Sequence, residues 1–182
     1  MPRNRQLIPR EERTGEILAA ATELFLKDGY DGTTMSAISA AAGVARANVY
    51  WYFPSKDDVF AAVMDRMLTR EAQALDHELR GLDPLSVLVR GLADMRSFRG
   101  LHRAMHDRME HSSAVRGAHE RFLAWIRLMV EAVLDQHPAY ADRTMVADVV
   151  ISVFEGANVS EPPLRPAHEM IRFLLQGFFT VV

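Results

Sequence analysis

Apolar residues recur along this chain at the three- and four-residue spacing of helices, and strand-like alternation never runs beyond a few residues. A first helix is predicted from about Pro9 to Asp28, with Pro9 tolerated at its opening turn. Ile17, Leu18, Ala21, Leu24 and Phe25 form one apolar stripe along it. Gly29 ends it as a left-handed cap would. Thr33 or Thr34 can cap a short second helix reaching Ala42, with Met35 and Ile38 facing inward. Gly43 turns the chain into a third short helix from about Arg46 to Phe53, whose buried side holds Val49 and Phe53. Pro54 blocks its continuation. Ser55 then caps a long fourth helix, Ser55 with Asp58 making a weak capping box. Val59, Phe60, Val63, Met67 and Leu68 give that helix its core stripe.

Beyond a break at residues 81–84 the same periodicity predicts helices at about 84–98, 100–110, 114–136, 142–157 and 166–179. "SEPPLRP", residues 160–166, is the clearest loop. The expected fold is all-α: an amino-terminal three-helix domain, residues 1–55, joined to a larger helical domain, residues 56–182. The fourth helix is expected to pack against both, so the boundary is not a flexible linker.

Composition sharpens this picture. A chain of 182 residues that is 49% hydrophobic can bury a sizeable core. No stretch approaches the roughly 18 apolar residues of a membrane span, and the basic start, "MPRNRQLIPREER", has no apolar segment to make it a secretory signal. Cysteine is absent, which excludes disulfides and thiolate chemistry and suits a reducing cytoplasm. The net charge of −3 is uneven: residues 1–56 carry +1 and the remainder −4. Only the amino-terminal part therefore avoids repelling a polyanion. Its four arginines within the first thirteen residues suit a solvated tail as well as a DNA-contacting arm.

The stretch "GVARANVYWYFPSK", residues 43–56, concentrates chemistry in that part. Two short helices joined by a glycine turn, the second polar on one face, describe a helix-turn-helix. Arg46 can reach guanine O6 and N7 in bidentate fashion, and Asn48 can pair with adenine N6 and N7. Ala47 allows close backbone approach or touches a thymine methyl. Tyr50 can donate to a phosphate, and Lys56 can meet the backbone just past the helix. The structural alternatives are an Arg46 paired with an acid on the first helix, a solvated Lys56, and an aromatic cluster closing a small core. Burying Tyr50, Trp51 and Tyr52 together is disfavoured, because three consecutive positions span about 300° of a helix.

Residues 17–63, "ILAAATELFLKDGYDGTTMSAISAAAGVARANVYWYFPSKDDVFAAV", resemble the DNA-binding domain of the TetR family of bacterial transcriptional regulators. The likeness rests on "AAxxLFxxxGYxxTT", on the "I-x-x-A-A-G-V" turn and on "VYWYFPSK", and covers about a quarter of the chain. It implies a homodimer that places two recognition helices in successive major grooves of a palindromic operator on double-stranded DNA. By position it assigns Arg46, Ala47, Asn48 and Tyr52 to bases, and Thr33, Thr34, Trp51, Tyr50 and Lys56 to phosphates. Repression is the family's majority behaviour. Two departures stand out. Ala45 occupies a position where the family usually has Ser or Thr, at a cap worth about 1 kcal/mol. Ala47-Asn48 replaces a family Gly-Thr pair, so the operator cannot be borrowed from a relative.

The resemblance also implies that the larger domain binds a small-molecule effector and dimerises, with a helix shift altering the spacing of the reading heads. Phe98, Leu101, His102, Met105 and Met109 recur at helical spacing, as do Phe122, Trp125 and Met129. Methionines and aromatics with a few histidines suit an adaptable apolar pocket, although ordinary bundle core uses the same residues. "HRAMHDRMEH" places His102 and His106 on one face, with Asp107, Glu110 and His111 nearby. The stretch lacks the Glu of a metalloprotease helix and any cysteine, so a solvated or pocket-lining pair is the expectation and no metal or cofactor is assigned. For dimerisation the last two helices offer Val149, Val150, Val153, Ile171, Leu174, Leu175 and Phe178, enough for an isologous four-helix interface; sealing a monomer core is the alternative.

Two other function classes compete. No nucleophile elbow, phosphate-binding loop or dinucleotide fingerprint occurs, which leaves only a metal-dependent hydrolase around His102 and His106 as an enzyme. A helical protein-interaction module is the other. The expectation is a non-enzymatic, ligand-responsive regulator.

Overall fold

Gly29, Gly43 and Gly81 take positive φ values of 71°, 65° and 91° and mark where the backbone changes course. A computed structural model describes residues 9–78, 81–136, 142–159 and 165–179. All regular structure among them is helical: α1 (Arg10–Gly32), α2 (Met35–Ala41), α3 (Arg46–Tyr52), α4 (Lys56–Glu78), α5 (Pro84–Asp94), a short 3-10 turn (Met95–Phe98), α6 (Arg99–Met109), α7 (Ser113–Asp135), α8 (Arg143–Val159) and α9 (Ala167–Phe179). None of the described helices is long and apolar enough to cross a membrane. The arginine-rich start before Pro9 and most of the "SEPPLRP" loop lie outside the described residues.

The first helix outruns its predicted stop. Gly29 does break the helical dihedrals, but at ψ 178° it lies outside the left-handed helical well, and one more turn follows. Tyr30 explains the resumption: it is buried, stacks with Phe25 and meets Phe60 edge-on. The helix then closes at Thr33, whose amide donates to Tyr30 O.

The chain divides into two units, Met1–Val63 and Met64–Val182. In the first, Ile17, Ala21, Phe25, Ile38, Val49, Val59, Phe60 and Val63 form the buried set, and α2 packs on α1 and α3. In the second, α7 runs through the middle against α5, α6 and α8, and α9 covers α5 and α8. Its core joins Leu88, Leu92, Phe122, Ile126, Val130, Phe154, Ile171 and Leu175. A bidentate ion pair from Arg121 to Asp65, at 2.9 and 2.7 Å, ties α7 to α4 within this unit.

Three of the residues expected to meet a partner subunit are part of this core. Val150, Ile171 and Leu175 are fully buried within the protomer, which corrects their assignment to a dimer face. Both helices are apolar on more than one side, and periodicity alone does not say which side is covered from within. Val149, Val153 and Leu174 are half-buried. The side chain of Phe178 lies outside the described residues. Phe173, absent from the expected set, is 82% exposed.

Candidate nucleic-acid interface and cavity

The turn into α3 is built as its sequence suggests. Thr34 caps α2, its Oγ1 accepting from the Ala37 amide at 3.1 Å. Gly43 holds the positive φ that lets α3 start at once. Ser55 caps α4 by accepting from the Asp58 amide at 3.2 Å, while the Asp58 carboxylate takes its return bond from the Ser55 hydroxyl at 2.6 Å and not from the amide as in a full capping box.

With Val49 buried inside α3 and Phe53 just after it, the opposite side of the helix is left open: Arg46, Ala47, Asn48, Tyr50 and Trp51 are all exposed and Tyr52 is half-buried. Arg46 does not pair with an acid on α1. Its Nη2 lies 3.3 Å from Tyr50 Oη, one turn along the same face, and its guanidinium sits over the Tyr50 ring. Trp51 is 65% exposed and packs edge-on against Tyr52. Arg10, which no local motif singles out, lies with its guanidinium 4.8 Å from the Trp51 ring centroid. This brings a further cation to the open face from the start of α1.

Two of the expected phosphate contacts are engaged elsewhere. Thr33 is 1% exposed and its hydroxyl donates to Gly29 O at 2.8 Å, so its side chain does not reach a phosphate. Lys56 Nζ donates to the carbonyls of Tyr30 and Thr33 at 2.8 and 3.1 Å and lies 3.9 Å from the Tyr30 ring centroid. Its charge stabilises the carbonyl end of α1. The adjacent Asp57 accepts from Tyr30 Oη. The pair therefore ties the start of α4 to the end of α1 from positions that read, in sequence, as a helix start.

Ala45 stands at the N-cap of α3 without a capping side chain. Ala45→Ser will stabilise the protein by about 0.5–2 kcal/mol, measured as a shift in the chemical denaturation midpoint. No change would mean that the first turn of α3 is already satisfied by solvent.

The second unit encloses a cavity of about 40 Å³ lined by Met64, Met67, Leu68, Glu71, Met95, Phe98, His102, Met105, Phe122, Phe154 and Asn158. Of the residues expected to line a ligand site, Phe98, His102, Met105 and Phe122 line this cavity. Met109 does not, and Trp125 and Met129 pack against the helical core instead. Met64, Met67 and Glu71 on α4 and Phe154 and Asn158 on α8 were missed, because periodicity identifies an apolar face but not which distant helix opposes it. At this volume the cavity admits water but not a drug-sized molecule, which needs roughly 300 Å³ or more. Four of its walls are methionines, whose unbranched side chains can move aside.

Beside the cavity, His102 and His106 turn towards Glu155 on α8. His102 Nε2 lies 3.1 Å from Oε1, His106 Nε2 lies 2.5 Å from Oε2, and His119 Nε2 on α7 hydrogen-bonds to Oε2 at 3.1 Å. Asp107, Glu110 and His111, the neighbours suggested by sequence, are exposed on the α6 end. Burial lowers the pKa of His102 and keeps it neutral despite the carboxylate beside it. Burial alone would raise that of Glu155, but the three imidazoles hold it far below the usual carboxylate range.

Residues 17–63 match the family described as "Bacterial regulatory proteins, tetR family". Over 73 residues, 40% of this chain, the sequence is 36% identical to the HTH-type transcriptional activator FasR of Mycolicibacterium smegmatis, and the match spans 33% of that relative's length. A transcriptional regulator from Rhodococcus sp. Rha1 shares the fold with a TM-score of 0.72 at 18% identity, over 92% of this chain and 96% of that one. Thermus thermophilus FadR, a repressor solved with lauroyl-CoA, aligns at a TM-score of 0.66 and 21% identity, over 91% of this chain and 93% of that one. Residues 17–63, the domain with α3 at its surface, thus match the TetR family of bacterial regulatory proteins, and the helical fold that follows them agrees with the solved structures.

Proposed function

We propose that this chain is a cytoplasmic transcriptional repressor, a homodimer that reads a palindromic operator through α3 and releases DNA when a small molecule enters the cavity of the second unit. The observation that carries this reading is the outward set on α3. Arg46, Asn48, Tyr50 and Trp51 share exposure on a helix whose inner side is fixed by Val49. The residues assigned to DNA are Arg46, Ala47, Asn48, Tyr50, Trp51 and Tyr52, with Thr34 at the start of α2.

The effector is a predominantly apolar molecule carrying a group that hydrogen-bonds or takes charge from Glu71, His102 or Asn158 on the cavity wall. Its entry displaces methionine side chains. Selection of bound duplexes from random DNA, using the purified protein, tests the central claim. An enriched palindrome, bound with steep salt dependence, is the expected result. The absence of any enriched sequence would overturn it, and salt-independent capture of a protein partner would favour an interaction module instead.

The proposed dimer face uses what α8 and α9 leave open: Met145 at 58% exposure and Phe173 at 82%, with half-buried Val149, Val153, Met170 and Leu174 between them. Val153, Met170, Phe173 and Leu174 line a groove there. Burying a phenylalanine is worth about 1.5–3 kcal/mol, and a two-fold interface counts it twice. Phe173→Asp will therefore raise the dimer dissociation constant by at least about a hundredfold, seen by analytical ultracentrifugation. An unchanged dimer would move the interface off α9.

A further inference from the structure

The histidines around Glu155 are arranged differently from donors gathered on an acceptor. Although His102 Nε2 and His106 Nε2 lie within 3.1 and 2.5 Å of the carboxylate, neither makes a hydrogen bond, and Glu155 Oε1 is likewise buried without one. The side chain of His102 is only 7% exposed, so this orphaned nitrogen has no water to turn to. A buried polar atom left unpaired forfeits its hydration without compensation, and here three such atoms belong to one cluster. His119 alone meets the carboxylate in hydrogen-bonding geometry.

Ligand spacing puts one ion within reach. The nitrogens of His102 and His106 and an oxygen of Glu155 all lie within 4.8 Å of one another. Neighbouring ligands about 2.1 Å from a common ion are about 3.0–3.4 Å apart, so the donors must close by up to about 1.4–1.8 Å to share one. The i, i+4 spacing of His102 and His106 on α6 supplies two imidazoles from one face. The carboxylate comes from α8 and is oriented by His119 from α7, as a hydrogen bond to a ligating carboxylate commonly does.

We propose that His102, His106 and Glu155 form a binding site for a divalent first-row transition metal, with His119 as the positioning residue for the carboxylate. Two imidazoles and one carboxylate suit Zn²⁺, Ni²⁺, Co²⁺ or Fe²⁺ and not the all-oxygen shells of Mg²⁺ and Ca²⁺. The ion joins α6 to α8 at one end of the cavity wall, to which His102 itself belongs. Three protein ligands leave at least one coordination position open. Metal occupancy is thus an input to the helical unit in its own right, and the ion binds whether or not α3 reads DNA.

The test uses the tag-free full chain, stripped with a chelator and titrated with Zn²⁺ and, separately, with Co²⁺. One ion per chain is expected, with a rise in melting temperature for Zn²⁺ and a visible d–d spectrum for Co²⁺. Because His102→Ala also empties a buried position, His106→Ala and Glu155→Gln are the informative variants, checked for unchanged helicity by circular dichroism. Each should weaken Co²⁺ binding at least about tenfold and abolish the spectrum. His111→Ala, at an exposed site, should change neither. No stoichiometric binding by the wild type, or binding that survives both His106→Ala and Glu155→Gln, would overturn the assignment.

Discussion

Arg46→Ala will lower affinity for the selected operator by about 2–6 kcal/mol, about 1–3 for the bidentate base recognition removed from each half-site if the two add. Arg46 is well placed for this effect to appear in full. It is exposed, and its only described hydrogen bond, to Tyr50 at 3.3 Å, is long and on the same open face. Releasing it therefore costs little when DNA arrives. The diagnostic lies in the pattern of the effect across sequences. Competition binding against duplexes varied at each position should show one symmetric position relaxed in the mutant and the salt slope preserved, because a base contact releases no phosphate counterion. Arg46→Lys keeps the charge but not the planar fork, and should recover little of the discrimination. A uniform weakening across all sequences with a shallower salt slope would instead place Arg46 on the phosphate backbone.

Phe60→Ala will destabilise the protein by about 3–5 kcal/mol. Phe60 is fully buried, meeting Phe25 edge-on at 5.2 Å between centroids and Tyr30 at 5.0 Å. Truncation removes both aromatic neighbours' partner and leaves a void between α1 and α4. It also undercuts the Tyr30 position on which Asp57 and Lys56 depend. Urea denaturation followed by tryptophan fluorescence is a suitable readout, since Trp51 and Trp125 report on the first and second units. The Trp51 signal should move to lower denaturant while that of Trp125 moves less. Equal shifts in both would show that the two units unfold as one.

The first unit was legible because its turns are written in backbone chemistry. Gly29 and Gly43 take the positive φ that other residues rarely adopt, Pro54 fixes its own φ, and Thr34 and Ser55 cap the helices that follow them. What escaped was whatever depended on distant partners. Lys56 reads as a free cation after a helix until the fold brings the carbonyls of Tyr30 and Thr33 beneath it. Thr33 and Thr34 look equivalent as caps, yet one is buried and the other caps α2. His102 and His106 announce a shared face, but their carboxylate lies on α8, about fifty residues on, where no local pattern connects them. The apolar sides of α8 and α9 were visible too; whether Val150 and Ile171 or Phe173 faced outward depended on how α7 and α5 cover them.

The uncapped start of α3 bears on how fast its amides trade hydrogen with solvent. The first intrahelical bonds run from the Asn48 and Val49 amides to Ala45 O, at 2.9 and 3.3 Å. The N–H groups of Arg46 and Ala47 precede them in the opening turn, where no side chain caps the helix. In deuterium these two should exchange at near-random-coil rates in the free protein, while Val49 and Phe53 remain protected. Bound to its operator, the protein should slow them sharply if a phosphate oxygen takes the place that Ala45 leaves open. The serine and threonine side chains usual at that position close the turn before DNA arrives; in this chain, exchange would report that closure as an event of binding.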